Sequence, residues 1–359
     1  MKLHSLLGAL GAPTQDAEEE TFELFAQELP SQNLGFIDSK ATTLDLTVAG
    51  RDLAIHQSPG VLSSNRAGGT TGAVVWKITP LFAEWLSSPT NPLFVHGVLS
   101  HSSLVVELGC GIAGLVALLL APRIAGYLLT DQPYVAKLVE QNVRENWRTA
   151  VSAPTSSSRA SKTSRAALGS SPTPSKTRRG SPAAGAGSGG AGRGRPKETA
   201  GGDDNRIRFA PLDWETDRVT PVLLTRFGGS NSGGEANRSF DVVLACDCIY
   251  NEALVDPFVS TCVDLCRLRV AEREKEQEDG SGGQGGSNGT AAAPREPCVC
   301  VVAQQLRDPL VFEAWIKRFL RSFHTWRVPD PLLAEGLKSN SGFVVHIGVL
   351  KDDISLDAI

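Results

Sequence analysis

No stretch of the 359-residue chain approaches the roughly 18 consecutive apolar residues that a membrane-spanning helix needs, so we expect no transmembrane segment. The N-terminal apolar run is short and is soon followed by the acidic run Glu18–Glu20, which does not fit a secretory signal peptide. Net charge is also small: 35 basic and 39 acidic residues leave −4, so the chain as a whole has no strong electrostatic preference for one kind of partner.

A recognisable set of metal ligands is missing as well. The seven cysteines are an odd number, and most of them form close pairs without paired histidines nearby: Cys246/Cys248, Cys262/Cys266 and Cys298/Cys300. These spacings match no zinc pattern, and we interpret the cysteines as small hydrophobic core residues in a reducing compartment. We therefore expect no metal, and a cytoplasmic location with the nucleus as the alternative.

The chain is organised around the stretch Val105–Leu115, where an apolar run, a glycine-rich turn and a second apolar run predict a strand, a loop and a helix start. Gly109 and Gly111, on either side of Cys110, leave no side chain between the backbone and a bound ligand. Together with Gly114 they also satisfy the G-x-G-x-x-G pattern of dinucleotide-binding folds. The glycines alone leave a nicotinamide cofactor and S-adenosylmethionine both open.

Two acidic residues narrow this choice. Glu107 precedes the first glycine by two positions, and the resulting E-x-G-x-G resembles motif I of class I S-adenosylmethionine methyltransferases. Nicotinamide fingerprints usually have an apolar residue there, because that strand is buried on both faces. Asp131 ends the second predicted strand, where a carboxylate can accept hydrogen bonds from both hydroxyls of a ribose.

Further candidates follow other glycine-rich loops or strand ends. Trp76 lies in a helix predicted from Ala73 to Leu86, directly after a glycine-rich loop, and core packing and a cofactor wall are equally compatible with it. Trp214 follows the third strand and is placed to stack on an adenine ring, with loop packing as the alternative. Asp247 and Tyr250 follow a strongly apolar central strand and are our catalytic candidates; the alternative is an aspartate that starts the next helix and a tyrosine packed behind it.

Strand and helix signals alternate from residue 66 to 359, which predicts one doubly wound α/β domain, preceded by an extension of residues 1–65 that contains a β-hairpin. Two disordered insertions are expected, at 151–205 and 272–297. Residues 151–205 carry nine basic and three acidic residues, a net charge of +6, so the remainder carries −10. We favour a solubilising surface loop there over a weak contact with RNA or an acidic partner.

With these residues in place, the chain resembles the methyltransferase-like class of seven-β-strand protein lysine methyltransferases. The segments that carry the resemblance are Gly72–Trp76, Glu107–Gly111, Thr130–Asp131 with Asn142 and Asn146, Leu212–Trp214 and the D-x-x-Y sequence Asp247–Tyr250. The resemblance implies a Rossmann-like, mostly parallel seven-stranded sheet and S-adenosylmethionine as cofactor. It also implies a cofactor pocket lined by Trp76, Gly109–Gly111, Asp131, Trp214 and Ala245.

Within that class, Gly35–Asp38 and the stretch from His56 to Lys77 resemble fungal ribosomal lysine methyltransferases, which implies a lysine of a large-subunit ribosomal protein as substrate. A nucleic-acid or small-molecule methyltransferase is one alternative, although Cys248 and Ile249 stand where base-modifying enzymes tend to carry two prolines. A cofactor-binding protein without turnover is another alternative. A dehydrogenase is a third, disfavoured because no partner domain for hydride transfer is evident.

Overall fold

The computed structural model describes residues 2–31, 34–66, 69–153, 206–227, 239–281 and 295–354, with side chains described up to residue 225 in the fourth of these ranges and up to residue 274 in the fifth. The insertion predicted at 151–205 lies outside the described residues from position 154 onward. Within the described residues, no helix is long and apolar enough to cross a membrane.

The helices are α1 Lys2–Leu10, α2 Ala17–Phe25, α3 Pro59–Leu62, α4 Ile78–Ser87, α5 Pro92–Val95, α6 Leu115–Leu120, α7 Ala136–Val151, α8 Val255–Ser281 and α9 Pro309–Ser322. The strands are β1 Thr43–Val48, β2 Arg51–His56, β3 Leu104–Leu108, β4 Gly126–Asp131, β5 Ile207–Pro211, β6 Val242–Cys246, β7 Val299–Gln305, β8 Phe323–Arg327 and β9 Phe343–Leu350. Short 3₁₀ turns lie at Thr71–Ala73, Ala121–Arg123, Pro133–Val135, Pro221–Phe227, Glu252–Leu254, Asp330–Leu332 and Glu335–Leu337.

Seven of these strands form one sheet in the order β5-β4-β3-β6-β7-β9-β8. The five strands from β5 to β7 are parallel, and β9 pairs antiparallel with both β7 and β8. The strand order reverses between β3 and β6, which is where open α/β sheets bind ligands beyond the carboxyl ends of their strands. The expected doubly wound, mostly parallel seven-stranded fold is confirmed.

The core lies on both faces of this sheet. Alternate strand residues point to opposite faces, so Val105 packs with α1, α4, α6 and α7, whereas Val106 packs with α2, α8 and α9. Every residue of β3, β6 and β7 is buried. This explains why these strands read as continuous apolar runs in the sequence.

The predicted N-terminal hairpin is confirmed as the antiparallel pair β1 and β2, which turns at Ala49–Gly50. Two buried asparagines of α7 form hydrogen bonds with the main chain of β2, at the edge of this hairpin. Asn146 exchanges two hydrogen bonds of 2.9 Å with the main chain of Ala54, and Asn142 accepts from the His56 N–H at 2.8 Å and donates to the His56 carbonyl at 3.0 Å. The side-chain amides thus satisfy an edge that would otherwise present unpaired backbone groups.

The helix predicted from Ala73 to Leu86 is shorter in the structure and begins only at Ile78. Val74 is extended, the Val75 carbonyl accepts from the Ile37 N–H at 3.3 Å, and Phe36 forms an antiparallel bridge with Trp76. The buried Gln57 side chain accepts from the Val75 N–H at 2.7 Å. The adjacent β-branched valines favour this extended form, so a segment of the N-terminal extension pairs with the chain next to Trp76.

The insertion predicted at 272–297 also differs, because α8 continues to Ser281. Residues 271–278 are alanine, glutamate, lysine, arginine and glutamine, all strong helix formers. The helix is also anchored there, since Glu272 accepts from the Ser239 N–H at 3.0 Å and lies 3.1 Å from Arg295, while Arg273 pairs with Asp353. The charge and the low apolar content of these residues led us to predict a loop, and this prediction is wrong for residues 272–281. Residues 282–294 of this predicted insertion lie outside the described residues.

Candidate functional site

A cavity of about 330 Å³ opens at the carboxyl ends of β3, β4 and β6, at the reversal of strand order. Nine of the ten predicted site residues line it: Trp76, Glu107, Gly109, Cys110, Gly111, Asp131, Trp214, Asp247 and Tyr250. The fold therefore brings the predicted cofactor residues and the predicted catalytic residues into one space.

The glycine turn after β3 forms the floor of the cavity. Gly109 and Gly111 have φ angles of +64° and +57°, a region that side chains disfavour. A Cβ on Gly109 would lie 2.7 Å from the Cys248 sulfur, and one on Gly111 would lie 3.1 Å from the Gly72 carbonyl oxygen. Both positions thus exclude a side chain, and a ligand can approach the main chain here.

Glu107 is a buried acid at the end of β3. Its carboxylate accepts a hydrogen bond of 2.7 Å from the Tyr127 hydroxyl. Burial raises the pKa of Glu107 to about 8; the bond from Tyr127 lowers it and the charge of Asp131 raises it further. A cationic group bound beside Glu107 would favour its ionised form, as the ammonium of an amino-acid ligand does.

Asp131 ends β4 as predicted. Its two carboxylate oxygens accept from the Gly111 N–H at 2.8 Å and from the Gln132 N–H at 2.6 Å, which fixes the side chain against the glycine turn. Burial raises its pKa to about 6, and the two main-chain bonds work in the opposite direction. Each oxygen keeps a lone pair, so the group remains able to accept from a pair of ribose hydroxyls.

The two predicted aromatic walls lie at different parts of the cavity. Trp214 packs edge-on against Phe258 with ring centroids 5.2 Å apart, and its buried indole N–H has no partner among the described residues. A buried donor beside a cavity fits a ligand that carries a hydrogen-bond acceptor, such as an adenine ring. Trp76 donates its indole N–H to the Thr71 carbonyl at 3.1 Å, and its ring lies 4.6 Å from that of Phe36.

Ala245 is the one predicted residue that the structure does not bring to the cavity. It is fully buried in β6 and packs on the face of α8, whereas its neighbour Cys246 lines the cavity. The reason is the two-residue alternation of a strand, which turns adjacent side chains to opposite faces. Cys246 therefore takes the place that we expected for Ala245.

Asp247 adopts a left-handed backbone conformation with φ of +62°, unusual for a residue other than glycine. Both of its carboxylate oxygens are engaged by Arg307, each at 2.6 Å, and the Gln305 N–H donates to Oδ1 at 3.2 Å. The carboxylate of this catalytic candidate is thus held in an ion pair with Arg307. A substrate bound at this segment would therefore contact a group other than the Asp247 carboxylate.

Tyr250 stays in its expected place at the mouth of the cavity and is 41% exposed. Its hydroxyl accepts a hydrogen bond of 3.2 Å from the Thr71 hydroxyl, so it joins the loop before Trp76 to the segment after β6. Burial of the phenol raises its pKa, whereas the bond from Thr71 lowers it. The tyrosine is therefore a neutral wall and a hydrogen-bonding group.

Sequence reasoning missed Gln305, the last residue of β7, and Arg307, which follows that strand at the same edge of the sheet. Arg307 lies 4.9 Å from the centroid of the Trp76 ring and donates to the Gln305 side chain at 3.0 Å. Gly35 packs over both of these side chains so closely that a Cβ there would collide with them. The rule that functional residues follow the strands of a parallel sheet could have pointed to Arg307.

All seven cysteines are free and buried, in agreement with the interpretation as core residues. Cys110 lies on the glycine turn with its thiol pKa raised well above the ordinary value by burial and by the nearby acids. Among the described residues, no three histidine, cysteine, aspartate or glutamate side chains are grouped as a metal site.

A family model described as lysine methyltransferase matches residues 56–157. The matched span runs from the end of the hairpin through α7 and contains the glycine turn, Glu107 and Asp131. It therefore covers the part of the cavity that is formed by helices and strands adjacent in sequence.

Three relatives among curated proteins are similar to parts of the chain. A Schizosaccharomyces pombe protein named diaminohydroxyphosphoribosylamino-pyrimidine deaminase is 33% identical over 132 residues, covering 36% of this chain and 31% of the relative. Ribosomal lysine N-methyltransferase 5 of Zygosaccharomyces rouxii is 36% identical over 109 residues, covering 26% of this chain and 34% of the relative. The protein of the same name from Candida glabrata is 26% identical over 315 residues, covering 68% and 77%. The chain spans about a third of the length of the first two relatives.

Proposed function

We propose that the chain is a class I protein lysine methyltransferase, which transfers a methyl group to the side-chain amine of a lysine in a large-subunit ribosomal protein. The observation that carries this proposal is the single cavity, which joins Glu107, Asp131 and the glycine turn to Asp247 and Tyr250. The ribosomal substrate rests on the names of the relatives from Zygosaccharomyces and Candida.

S-adenosylmethionine, the cofactor, supplies an electrophilic methyl group on a positively charged sulfur. The residues of the cavity fit it: Glu107 would balance its ammonium, Asp131 would accept from its ribose, and the free indole N–H of Trp214 would meet its base. Gly109 and Gly111 leave room for it along the main chain.

The remaining task of the protein is to prepare the lysine. A lysine side chain has an ordinary pKa near 10.4, so its nitrogen carries a proton at neutral pH and has no lone pair for attack. The cavity mouth, walled by Tyr250 and Trp76, would strip water from the incoming amine, which favours its neutral form. The same walls would hold the nitrogen in line with the methyl group.

The test is transfer of labelled methyl groups from S-adenosylmethionine into an extract of fungal cells that lack the enzyme, with protein and RNA separated afterwards. Label on a lysine of a large-subunit ribosomal protein, found by mass spectrometry, is the expected result. Asp131→Ala should abolish it by removing the ribose acceptor, whereas the matched control Glu84→Ala, an exposed acid on α4, should transfer at the wild-type rate.

Other results would point elsewhere. Label only in RNA would identify a nucleic-acid methyltransferase. Binding of S-adenosylmethionine with no label in any fraction would identify a cofactor-binding protein without turnover. We further propose a cytoplasmic location, or a nuclear one, which fluorescence microscopy tests. For segment 151–205 we propose a solubilising role; salt-dependent binding of the protein to ribosomal RNA in a titration would instead support the alternative, a weak contact with RNA or an acidic partner.

A further inference from the structure

Asp247 faces the cavity with its main chain and not with its side chain. The residue is 7% exposed as a whole, but its side chain is only 1% exposed. The accessible part is therefore the backbone. The N–H of Asp247 donates to the Ala303 carbonyl at 2.7 Å, and no donor among the described residues is bonded to the Asp247 carbonyl. The carbonyl is thus the polar backbone group left for the cavity.

The buried side chain fixes the conformation of the turn at Asp247. A left-handed φ is costly for residues with a Cβ, and aspartate and asparagine tolerate it better than most. The two bonds from Arg307 and the one from the Gln305 N–H hold the carboxylate behind the strand end, and this anchors the turn. Arg307 is in turn held beside the Trp76 ring and under Gly35.

We propose that the main-chain carbonyl of Asp247 accepts the hydrogen bond from the substrate amine, and that the Asp247 carboxylate and Arg307 are positioning groups that hold this carbonyl in the cavity. The proposal rests on the proposed function for the identity of the amine as a lysine. In this arrangement the hydrogen-bond acceptor is the neutral main-chain carbonyl, and the charged carboxylate of Asp247 does not contact the substrate.

A neutral acceptor suits the reaction better than a carboxylate. A carboxylate next to the amine would favour the protonated ammonium, which cannot attack. A carbonyl still directs the nitrogen by accepting one N–H bond, and it adds no full negative charge beside it. The ion pair with Arg307 also balances the nearby negative charge.

The direct test changes one backbone atom. Placing lactic acid, the α-hydroxy analogue of alanine, at position 248 turns the 247–248 amide into an ester, whose carbonyl is a weaker acceptor. The Cys248 N–H that is lost makes no hydrogen bond with the described residues. The matched reference is Cys248→Ala with an ordinary amide. We expect the ester to lower kcat/KM about tenfold, as for the loss of one hydrogen bond, and to leave S-adenosylhomocysteine affinity unchanged.

A second readout does not need turnover. Calorimetry of n-butylamine binding to the enzyme saturated with S-adenosylhomocysteine, at a pH where much of the amine is neutral, should show about tenfold weaker binding to the ester than to the amide reference. If the wild type labels no protein lysine, the proposed function fails, and this measurement still decides the acceptor. Failure of n-butylamine to bind the amide enzyme, or equal binding to both enzymes, would overturn the proposal.

Substitutions of Asp247 separate the two possible roles of its side chain. Asparagine tolerates the left-handed turn and keeps one oxygen for Arg307, so Asp247→Asn should retain kcat/KM within about tenfold. Asp247→Gly tolerates the left-handed turn but loses the bond with Arg307, so its kcat/KM should be lower than that of Asp247→Asn. Asp247→Ala loses both features and should have the lowest kcat/KM of the three variants. Equal, near-complete loss in all three variants, with no effect of the ester, would assign the acceptor to the carboxylate instead.

Discussion

Replacing Glu107 with glutamine will stabilise the ligand-free protein, and the gain will grow as the pH rises. Glutamine resembles the protonated form of glutamate, and it can still accept the hydrogen bond from Tyr127. The wild-type carboxyl is nearly inaccessible, and its burial makes ionisation unfavourable in the folded state. The substitution removes this unfavourable ionisation.

The size of the stabilisation by Glu107→Gln follows from the pKa of Glu107, which rises from 4.5 to about 8 on folding. Between these two pH values the folded state holds a proton that the unfolded state has released, so the free energy of unfolding of the wild type falls as the pH rises. The fall is complete above pH 8. With about 1.4 kcal/mol for each tenfold change in an equilibrium constant, the advantage of Glu107→Gln will grow by about 3 kcal/mol between pH 5 and pH 8.

Urea unfolding of both proteins without cofactor at pH 5, 6, 7 and 8 measures this difference. The control is Glu84→Gln, an exposed acid on α4 whose substitution will shift stability by the same small amount at every pH. The same Glu107 variant will bind S-adenosylmethionine more weakly, because it cannot balance the ligand's positive charge. A stability difference between Glu107→Gln and the wild type that stays constant from pH 5 to pH 8 would refute the reasoning.

Three further predictions concern the parts around the cavity. Asn142→Ala removes three hydrogen bonds, to the two main-chain groups of His56 and to the Ile112 carbonyl, and will cost about 3 kcal/mol in urea unfolding, whereas the neighbouring Gln141→Ala will cost less than about 0.5 kcal/mol. Gly111→Ala forces a side chain into a left-handed turn against the Gly72 carbonyl; it will cost about 1–2 kcal/mol and weaken cofactor binding in calorimetry at least about tenfold, while Gly8→Ala in α1 will slightly raise the melting temperature. Arg307→Met leaves the buried Asp247 carboxylate unpaired and will cost about 3 kcal/mol, part of which a second substitution, Asp247→Asn, will recover in a double-mutant cycle.

The cofactor end of the cavity could be predicted because it is built from consecutive residues. Glu107, the glycine turn and Asp131 lie within 25 positions, and each follows a strand that the apolar pattern reveals. The parallel order then brings the strand ends together without further information. Helix α1 also has a readable signal, since Leu3, Leu6, Leu7 and Leu10 recur at helical spacing and are all buried.

Other features had weaker signals. Strand β8 begins directly after α9, without a glycine or proline to mark the change, so the sequence pattern does not separate the two elements. Ala245 was assigned to the cavity by the resemblance alone, and hydrophobicity could not correct the assignment to Cys246, because it does not reveal the phase of a strand with every residue buried. The pairing of Asp247 with Arg307 joins positions 60 residues apart and depends on how β6 and β7 align, which composition does not reveal.

The acceptor end of the cavity, the part around Asp247 and Tyr250 that would receive the substrate amine, is assembled from segments distant in sequence. It is thus separate from the part that would bind the cofactor. Residues 35–36 from the N-terminal extension cover Arg307 and Trp76, Thr71 reaches Tyr250, and Arg307 fixes Asp247. None of these contacts touches Glu107 or Asp131, which hold the cofactor end on β3 and β4. Substrate choice can therefore depend on the extension and on the loops after β6 and β7, while the cofactor cradle stays unchanged. The N-terminal extension is in this sense a part of the acceptor site, because Gly35 and Phe36 pack on the side chains that position the Asp247 carbonyl.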